Sequence, residues 1–182
     1  MYQDEKTTVS ERVERLKELI EDLKVAMLTT VHSDGSLRSR PMMTQDLDSD
    51  GTLWFFTGRD GQKSDDIIHH GEVNLSFSNP GDNKFVSISG NAQLVFDKEK
   101  AKELWTPFAK AWFPDGVDDP NLALIKVDVK GAEYWDVKSG FMVQLIGFVK
   151  ATFTGKPMDE KSAKLFSQAE KISGSDIKSA MH

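Results

Sequence analysis

The chain has 182 residues, no cysteine, 38 % hydrophobic residues and a net charge of −6. An acidic protein is a poor match for the phosphates of nucleic acids and for anionic membranes, and the lack of cysteine excludes disulfides and thiolate metal sites. The length predicts one compact domain. Because the N-terminus shows no apolar signal region and no apolar run approaches the roughly 20 residues that span a bilayer, we expect a cytoplasmic protein.

The chain opens with a predicted amphipathic helix at residues 8–24. Apolar residues recur there at every third or fourth position and charged residues fill the other face, with Ser10 as the expected N-cap. We interpret this helix as scaffold that covers the core.

Three short strands are predicted next, at residues 25–31, 37–45 and 53–57. The dipeptide Asp34-Gly35 between the first two is typical of a hairpin turn, and a second turn at 46–51 precedes the third strand. We expect these strands to form an antiparallel meander. The third strand is continuously apolar, which predicts that it is covered on both faces.

Helices interrupt the second half of the predicted sheet. Ser64 is the expected cap of a short helix at 64–70, and strands follow at 73–78 and 85–96, where Gly90 indicates a bulge or a close backbone approach. The remaining predicted elements are a helix that is capped by Asp97 and reaches Trp112, strands at 122–129 and 132–136 separated by Gly131, a helix at 140–155, and a partly helical stretch at 163–172.

Together these elements predict an α+β fold. Six or seven antiparallel strands with helices at the margins favour a closed or nearly closed barrel, because closure leaves no exposed sheet edges. We assign residues 1–155 to this domain and residues 156–182 to a polar C-terminal tail.

Arg38 and Arg40 are the first residues that indicate chemistry. On a strand they share one face with Met42, while Pro41 interrupts the hydrogen-bonded ladder. Two arginines so close together favour a bound anion or paired carboxylates. The alternative is a pair of arginines that faces solvent on the outside of a barrel.

Lys63 and Ser64 open the short helix and form a second candidate anion site. The unpaired N–H groups and partial positive charge of a helix N-terminus, with a lysine beside them, suit a phosphate. The alternative is an ordinary capped helix, because Asp65 and Asp66 in the first turn already complement the helix dipole.

The histidines do not indicate a metal site. His69 and His70 are adjacent, so on a helix they point about 100° apart, and no third ligand stands at a suitable spacing. No Ser/His/Asp set has a nucleophile-elbow motif.

Five short motifs follow one another along residues 10–155: Arg38-Ser39-Arg40-Pro41-Met42, Leu53-Trp54-Phe55-Phe56-Thr57, Lys63-Ser64, Trp112-Phe113-Pro114-Asp115-Gly116, and Glu133-Tyr134-Trp135-Asp136. Their order resembles the flavin-binding split-barrel family that includes pyridoxamine 5′-phosphate oxidase, and in particular its bacterial general stress protein 26 branch. The resemblance implies an FMN-binding split β-barrel, with FAD as the alternative cofactor. It also implies a homodimer that holds the flavin at the subunit interface.

The resemblance also implies roles for individual residues. It places the strand Ser39-Arg40-Pro41-Met42 along the isoalloxazine, with Arg40 reaching the ring or the phosphate. Trp135 would approach the flavin ring from the partner subunit, and Trp112 would line the pocket.

The same resemblance implies how the rest of the nucleotide is held. Phe56 and Thr57 would contact the ribityl chain, and Lys63 and Ser64 would hold the phosphate.

Two departures from the oxidase pattern argue against vitamin B6 oxidation. Gln62 stands where the oxidase has a basic residue before its phosphate lysine, and no Arg-x-His substrate clamp follows Trp135. The resemblance therefore implies a flavin-dependent oxidoreductase of unknown substrate, with a nicotinamide nucleotide as a candidate partner. The alternatives are a stress protein that stores or shields flavin without turnover, and a haem- or deazaflavin-binding relative.

Overall fold

A computed structural model describes residues 9–45, 47–48, 51–136, 170–173, 175–176 and 179. The predicted helix at 140–155 and the predicted helical stretch from 163 to 169 lie outside the described residues. None of the described helices is both long and apolar enough to cross a bilayer.

The first element is helix α1 (Val9–Leu23), as its apolar periodicity predicts. Its buried side chains Val13, Leu16 and Leu19 belong to the main hydrophobic core. The prediction for Ser10 is wrong, because the helix begins at Val9 and Ser10 is therefore not its N-cap.

Within the described residues, seven strands form one antiparallel sheet. They are β1 (Val25–Val31), β2 (Leu37–Met43), β3 (Thr52–Gly58), β4 (Glu72–Asn79), β5 (Lys84–Val95), β6 (Leu122–Asp136) and β7 (Glu170–Ser173). The first six lie in the order β2-β1-β4-β5-β6-β3, and β7 pairs with β6. Side chains on the inner face of the sheet pack with α1 to form the core.

The hairpin of β1 and β2 is confirmed. The two strands pair from Val25 opposite Met43 to Val31 opposite Leu37, and Gly35 in the turn has a φ of +81°. Such a positive φ is strained for residues with a side chain, which explains why glycine follows Asp34 in this tight turn.

The predicted meander is wrong, because β3 pairs with β6 rather than with β2. The second edge of β1 is taken by β4, and β3 lies at the opposite end of the strand order from β2. The predicted burial of β3 is confirmed from Thr52 to Phe55, all of which are buried. Pairing of β3 over its whole length with a strand 70 residues later cannot be read from local turn signals.

The bulge predicted at Gly90 is confirmed. Ser89 lies opposite Gly131 but Gly90 lies opposite Val129, so Lys130 is an extra residue in β6, which otherwise continues without the predicted break at Gly131. The backbones also approach closely, because a Cβ at Gly90 would lie 2.7 Å from the carbonyl oxygen of Asp128.

Gly90→Ala should therefore destabilise the protein by about 1–3 kcal/mol through overpacking against backbone that cannot move aside. Urea unfolding followed by circular dichroism would measure the free energy of unfolding. Gln93→Ala, at an exposed position of the same strand, should change it by less than about 0.5 kcal/mol. Equal values for the two variants would contradict the close approach.

Helix α3 (Lys98–Glu103) is shorter than predicted. Its cap is confirmed, since the Asp97 carboxylate accepts a 2.9 Å hydrogen bond from the backbone N–H of Lys100. The helix ends because Pro107 has no N–H to donate and disfavours helical geometry at Thr106. The chain continues through a 3₁₀ turn at Ala109–Ala111.

Residues 170–172 are strand rather than helix, so that part of the tail prediction is wrong. In β7 the backbone of residues 170–173 pairs with residues 131–134 of β6. Backbone pairing with an existing sheet edge is a tertiary effect that the polar composition of the segment does not indicate.

Candidate functional site

The candidate site lies where the two ends of the strand order come together. No ladder joins β2 to β3, but the backbone N–H of Gln45 donates to the carbonyl of Trp54 at 3.0 Å, just beyond the end of β2. From this point towards Pro41 and Gly58, a pocket of about 410 Å³ lies between the strands. We call it the β2–β3 pocket.

Three parts of the chain line the β2–β3 pocket. One wall is the end of β2 with Val25 from β1, the second is residues 56–58 of β3 with Lys63 of the following helix, and the third is the segment 106–113. Of the nine predicted site residues, the pocket contains five: Pro41, Met42, Phe56, Thr57 and Lys63. Trp112 also lines it, in agreement with its expected place.

Lys63 is a half-buried cation at one end of the pocket. Its Nζ lies 3.4 Å from the Met42 sulfur, and no carboxylate in the described part of the chain pairs with it. Burial, followed by the nearby positive charge of Arg40, lowers the pKa of Lys63 to about 8. A cation in this environment is stabilised by any anion that enters the pocket.

Lys63 belongs to the first turn of helix α2 (Gln62–His69). The N-cap is Gly61, with a φ of +129° and no side-chain cap, so the prediction of Ser64 as the cap is wrong. Ser64 is buried in the first turn, and its hydroxyl donates to the carbonyl of Gly58 at 2.9 Å. The helix N-terminus thus lacks the side-chain acceptor that a serine cap would have supplied.

Arg40 does not line the pocket but takes part in a buried polar network. Its guanidinium donates to the Thr30 hydroxyl at 2.9 Å and lies 3.5 Å from a carboxylate oxygen of Asp66. Asp66 also accepts a hydrogen bond from Thr30 at 2.9 Å and lies 2.8 Å from Nδ1 of His32. The paired-carboxylate reading of the arginines is thus confirmed for Arg40.

Asp66 is 3 % exposed, and the network keeps it ionised. Burial opposes the negative charge, but the hydrogen bonds from His32 and Thr30 and the charges of His32 and Arg40 outweigh it, so the pKa of Asp66 lies below its ordinary value. Sequence reasoning missed this residue as a partner of Arg40. One feature of the sequence could have placed Asp66 near the site: it lies one helical turn after Lys63, on the same side of α2.

Aromatic side chains form the outer wall of the pocket. Phe56 contacts Trp105 edge-on at 5.6 Å between ring centroids and Phe113 at 6.4 Å. Phe108 and Trp112 are 60 % and 75 % exposed although they line the same pocket. Two large exposed rings beside a pocket indicate a surface that becomes covered when something binds.

Ser39 and Trp135 lie away from the pocket of their own chain. The Ser39 hydroxyl bonds with that of Thr29 at 2.7 Å on the outer face of the hairpin. Trp135 is on β6, opposite Phe85. Their contacts with a ligand, and that of Arg40, stay predictions. The described residues contain no group of three or more His, Cys, Asp and Glu that could hold a metal ion.

Residues 11–159 match the sequence profile of the family called pyridoxamine 5′-phosphate oxidase like. The chain belongs to this family. The match covers all five motifs on which the resemblance was based.

Two proteins are similar to the pyridoxamine 5′-phosphate oxidase-like chain over more than half of its length. Protein bli-3 of Neurospora crassa is 28 % identical over 177 residues, which cover 92 % of this chain and 85 % of that protein. General stress protein 26 of Bacillus subtilis is 27 % identical over 119 residues, which cover 63 % of this chain and 81 % of that protein.

Solved structures of the same family confirm the split-barrel fold. The general stress FMN/FAD binding protein of Xanthomonas citri is 32 % identical, with a TM-score of 0.61 over 70 % of this chain and 89 % of that one. A protein related to general stress protein 26 from Clostridium acetobutylicum has a TM-score of 0.63 over 71 % of this chain and 92 % of that one, at 19 % identity.

Proposed function

We propose that the protein binds a flavin nucleotide, FMN or FAD, in the β2–β3 pocket and works as a flavin-dependent oxidoreductase. The family and the name of the Xanthomonas relative support a flavin. The observation that carries the proposal is Lys63: a half-buried ammonium without a carboxylate partner in the described residues, beside a helix N-terminus without a side-chain cap.

The residues present fit a phosphate at this end of the pocket. A phosphate dianion would give the ammonium of Lys63 the counter-charge that it lacks. The N-terminus of α2 would add backbone N–H donors and the positive end of the helix dipole. Gly61 at the N-cap favours this, because it places no side chain across the approach.

The remaining lining fits an apolar ring system. Pro41, Met42 and Phe56 form the walls, and the exposed rings of Phe108 and Trp112 stand at the mouth. Residues of this kind bind, orient and shield a flat aromatic group from water. A bound flavin supplies the electron and hydride transfer itself, so the protein has to hold it in place.

A second copy of the chain is part of the proposal. Val25 opposite Met43 and Met27 opposite Pro41 make adjacent cross-strand pairs on the outer face of the hairpin, and all four side chains are exposed. Three of them also line the β2–β3 pocket. A partner that covers this apolar patch would therefore also cover the pocket, where its Trp135 would approach the ring.

Flavin storage without turnover is the second candidate function. Lys63 is the sole titratable side chain among the described pocket residues, so no acid–base pair accompanies the ring. Hydride transfer from a nicotinamide nucleotide needs no such pair at the flavin. We therefore favour the oxidoreductase over flavin storage.

Purified protein should bind added FMN and show a flavin absorption spectrum. Addition of NADH or NADPH should bleach that spectrum, and an electron acceptor should restore it. Bleaching without reoxidation by any acceptor, or no bleaching, would favour storage. A protein that binds no flavin at all, or shows a Soret band instead, would contradict the proposed function.

A further inference from the structure

A second cavity adjoins the β2–β3 pocket at the end of β2. It has a volume of about 510 Å³ and lies between the last turn of α1 and the residues that follow β2. The two cavities share Met43, Gln45 and Thr106 as lining residues, so they meet beside Gln45 rather than beside Lys63. We call the second cavity the α1–β2 pocket.

The hydroxyl of Thr44 is buried in the lining of the α1–β2 pocket and has no hydrogen-bond partner among the described residues. Buried polar atoms in folded proteins nearly always have a partner, because an unsatisfied one costs free energy. Valine would fill the same space without this cost. The hydroxyl therefore indicates a hydrogen-bonding partner that enters the pocket from outside the chain.

Lys24, an exposed residue that lines the same pocket, has a left-handed backbone with a φ of +52°. It directly follows α1, where glycine is the usual residue because a side chain is strained there. Its N–H donates to the carbonyl of Ile20 at 3.0 Å, and its carbonyl accepts from the N–H of Thr44 at 2.8 Å. The fold thus holds a lysine in a strained conformation next to the unpartnered hydroxyl, as is common at functional sites.

The remaining lining indicates what kind of ligand fits. Ile20 and Leu47 are apolar and buried. Among the described lining residues Lys24 is the sole cation, and Glu21, one turn earlier on the chain, carries the opposite charge. An anion would lose its water against apolar side chains and meet a local charge near zero, so an uncharged ligand is favoured. A carbonyl oxygen on that ligand would accept from both the hydroxyl and the ammonium.

We propose that the α1–β2 pocket is the substrate subsite of the oxidoreductase and that the substrate is an uncharged cyclic carbonyl compound, a quinone. This inference rests on the proposed function and deepens it by naming the substrate class. A quinone suits a site without an acid–base pair, because no carbon has to be deprotonated. Its oxygen gains negative charge during reduction, and Thr44 and Lys24 are the donors that would stabilise this charge.

The reaction balances with a nicotinamide nucleotide as the reductant. The nicotinamide nucleotide loses a hydride and is oxidised, and the flavin-bound protein passes both electrons on to the quinone. The quinone gains the hydride and one proton from water, so that its two C=O groups become the C–OH groups of a hydroquinone. No further oxidant or reductant is required.

Duroquinone is the probe, because its ring is fully methylated and does not alkylate lysine side chains. Equilibrium dialysis of the full-length protein, with and without saturating FMN, measures its Kd. Duroquinone should bind in both conditions, and FMN should weaken the binding by less than about two-fold. Complete displacement by FMN would overturn the inference, because the quinone would then occupy the β2–β3 pocket.

Thr44→Val removes the hydroxyl and keeps the shape of the side chain. It should weaken duroquinone binding by about three- to ten-fold without lowering the Tm, since a buried atom that lacks a partner is removed. The matched control is Thr52→Val, which changes a buried threonine of β3 that lines neither pocket and should leave the Kd within about two-fold of wild type. Equal values for wild type and Thr44→Val would overturn the inference.

Lys24→Gly tests the strained position. Glycine adopts a positive φ without strain, so the Tm should not fall, whereas duroquinone binding should weaken several-fold because a donor is lost. A purely structural lysine would leave the Kd unchanged, and that result would contradict its role in the pocket.

Benzamide and benzoate test the charge of the ligand, because they have nearly the same shape and differ in charge. Benzamide should displace duroquinone at a lower concentration than benzoate does. The reverse order would overturn the assignment of an uncharged substrate.

In FMN-loaded protein that NADH has bleached, duroquinone should restore the flavin spectrum several-fold faster for wild type than for Thr44→Val. Flavin-binding protein that binds no duroquinone would overturn the inference alone. Protein that binds duroquinone through Thr44 but binds no flavin would overturn the proposed function, and the α1–β2 pocket would remain a binding site for uncharged carbonyl compounds.

Discussion

Replacing Lys63 with methionine should stabilise the ligand-free protein and at the same time remove most of its preference for FMN over riboflavin. Burial of the charged ammonium costs free energy in the folded state, as its pKa of about 8 indicates. Because Lys63 is only half-buried, we expect a gain of about 1 kcal/mol, or roughly 2–4 °C in Tm. Loss of the charged partner of the phosphate should weaken FMN by roughly 10- to 100-fold.

The stability gain should depend on pH in a defined direction. The pKa of Lys63 is lower in the folded protein than in the unfolded chain, where it is about 10.4, so the unfolded chain binds more protons between these values. The cost of the charged lysine is complete below pH 8 and disappears as the pH rises towards 10. The advantage of Lys63→Met should shrink over the same interval.

A matched control is Lys110→Met, which removes an exposed lysine from the 3₁₀ turn beside the same pocket. It should change neither the Tm nor the ratio of the two dissociation constants by a measurable amount. Differential scanning calorimetry and fluorescence titration give the two quantities. A Lys63→Met protein that melts lower than wild type, or keeps its FMN preference, would contradict the assignment.

Asp66→Ala should lower the free energy of unfolding by about 3 kcal/mol. The substitution leaves Arg40 without its carboxylate and removes the acceptor of hydrogen bonds from Thr30 and His32, and loss of one partner from a buried ion pair is strongly destabilising. Because Arg40 and His32 keep some contact with solvent, the value belongs at the low end of the usual range. Urea unfolding at pH 7 measures it.

The pH dependence of this effect has the opposite direction to that of Lys63. The pKa of Asp66 is lower in the folded protein than its ordinary value near 3.9, so its contribution is present above about pH 4 and is lost as the pH falls through the folded pKa. The difference between Asp66→Ala and wild type should therefore shrink in acid. Asp65→Ala, at the exposed neighbouring position, should cost less than about 1 kcal/mol.

A double variant separates the ion pair from simple packing. Arg40→Met/Asp66→Leu removes both charges and restores apolar volume, so it should recover much of the stability that Asp66→Ala loses. A double variant no more stable than the single one would indicate that the hydrogen bonds of Thr30 and His32 carry the effect instead.

Local signals in the sequence predicted the parts of the fold that depend on neighbours in the chain. The Asp34-Gly35 turn, the alternation along β5 and the glycine at its bulge all correspond to features of the structure. Each rests on backbone preferences or on side-chain periodicity over a few residues. The early end of α3 was not predicted, although Pro107 inside the predicted helix was a local signal for it.

The parts that the sequence did not predict depend on long-range contacts. The partner of β3 is a strand about 70 residues away, and no feature of either strand identifies the other as its pairing partner. Likewise, Arg40 meets Asp66 only because the hairpin and α2 pack together, so the arginine pair could be recognised but not its partner. The motifs named five residues that line the β2–β3 pocket, and their contacts with a flavin stay predictions.

The position of β7 closes part of an edge of the sheet. Strand β6 is 15 residues long and pairs with β3 over residues 122–128, so the edge beyond this point would present free N–H and C=O groups. An exposed edge is a template to which strands of other molecules can add. By pairing with residues 131–134, β7 occupies this edge from within the same chain, and the polar C-terminal segment thereby protects the sheet against self-association.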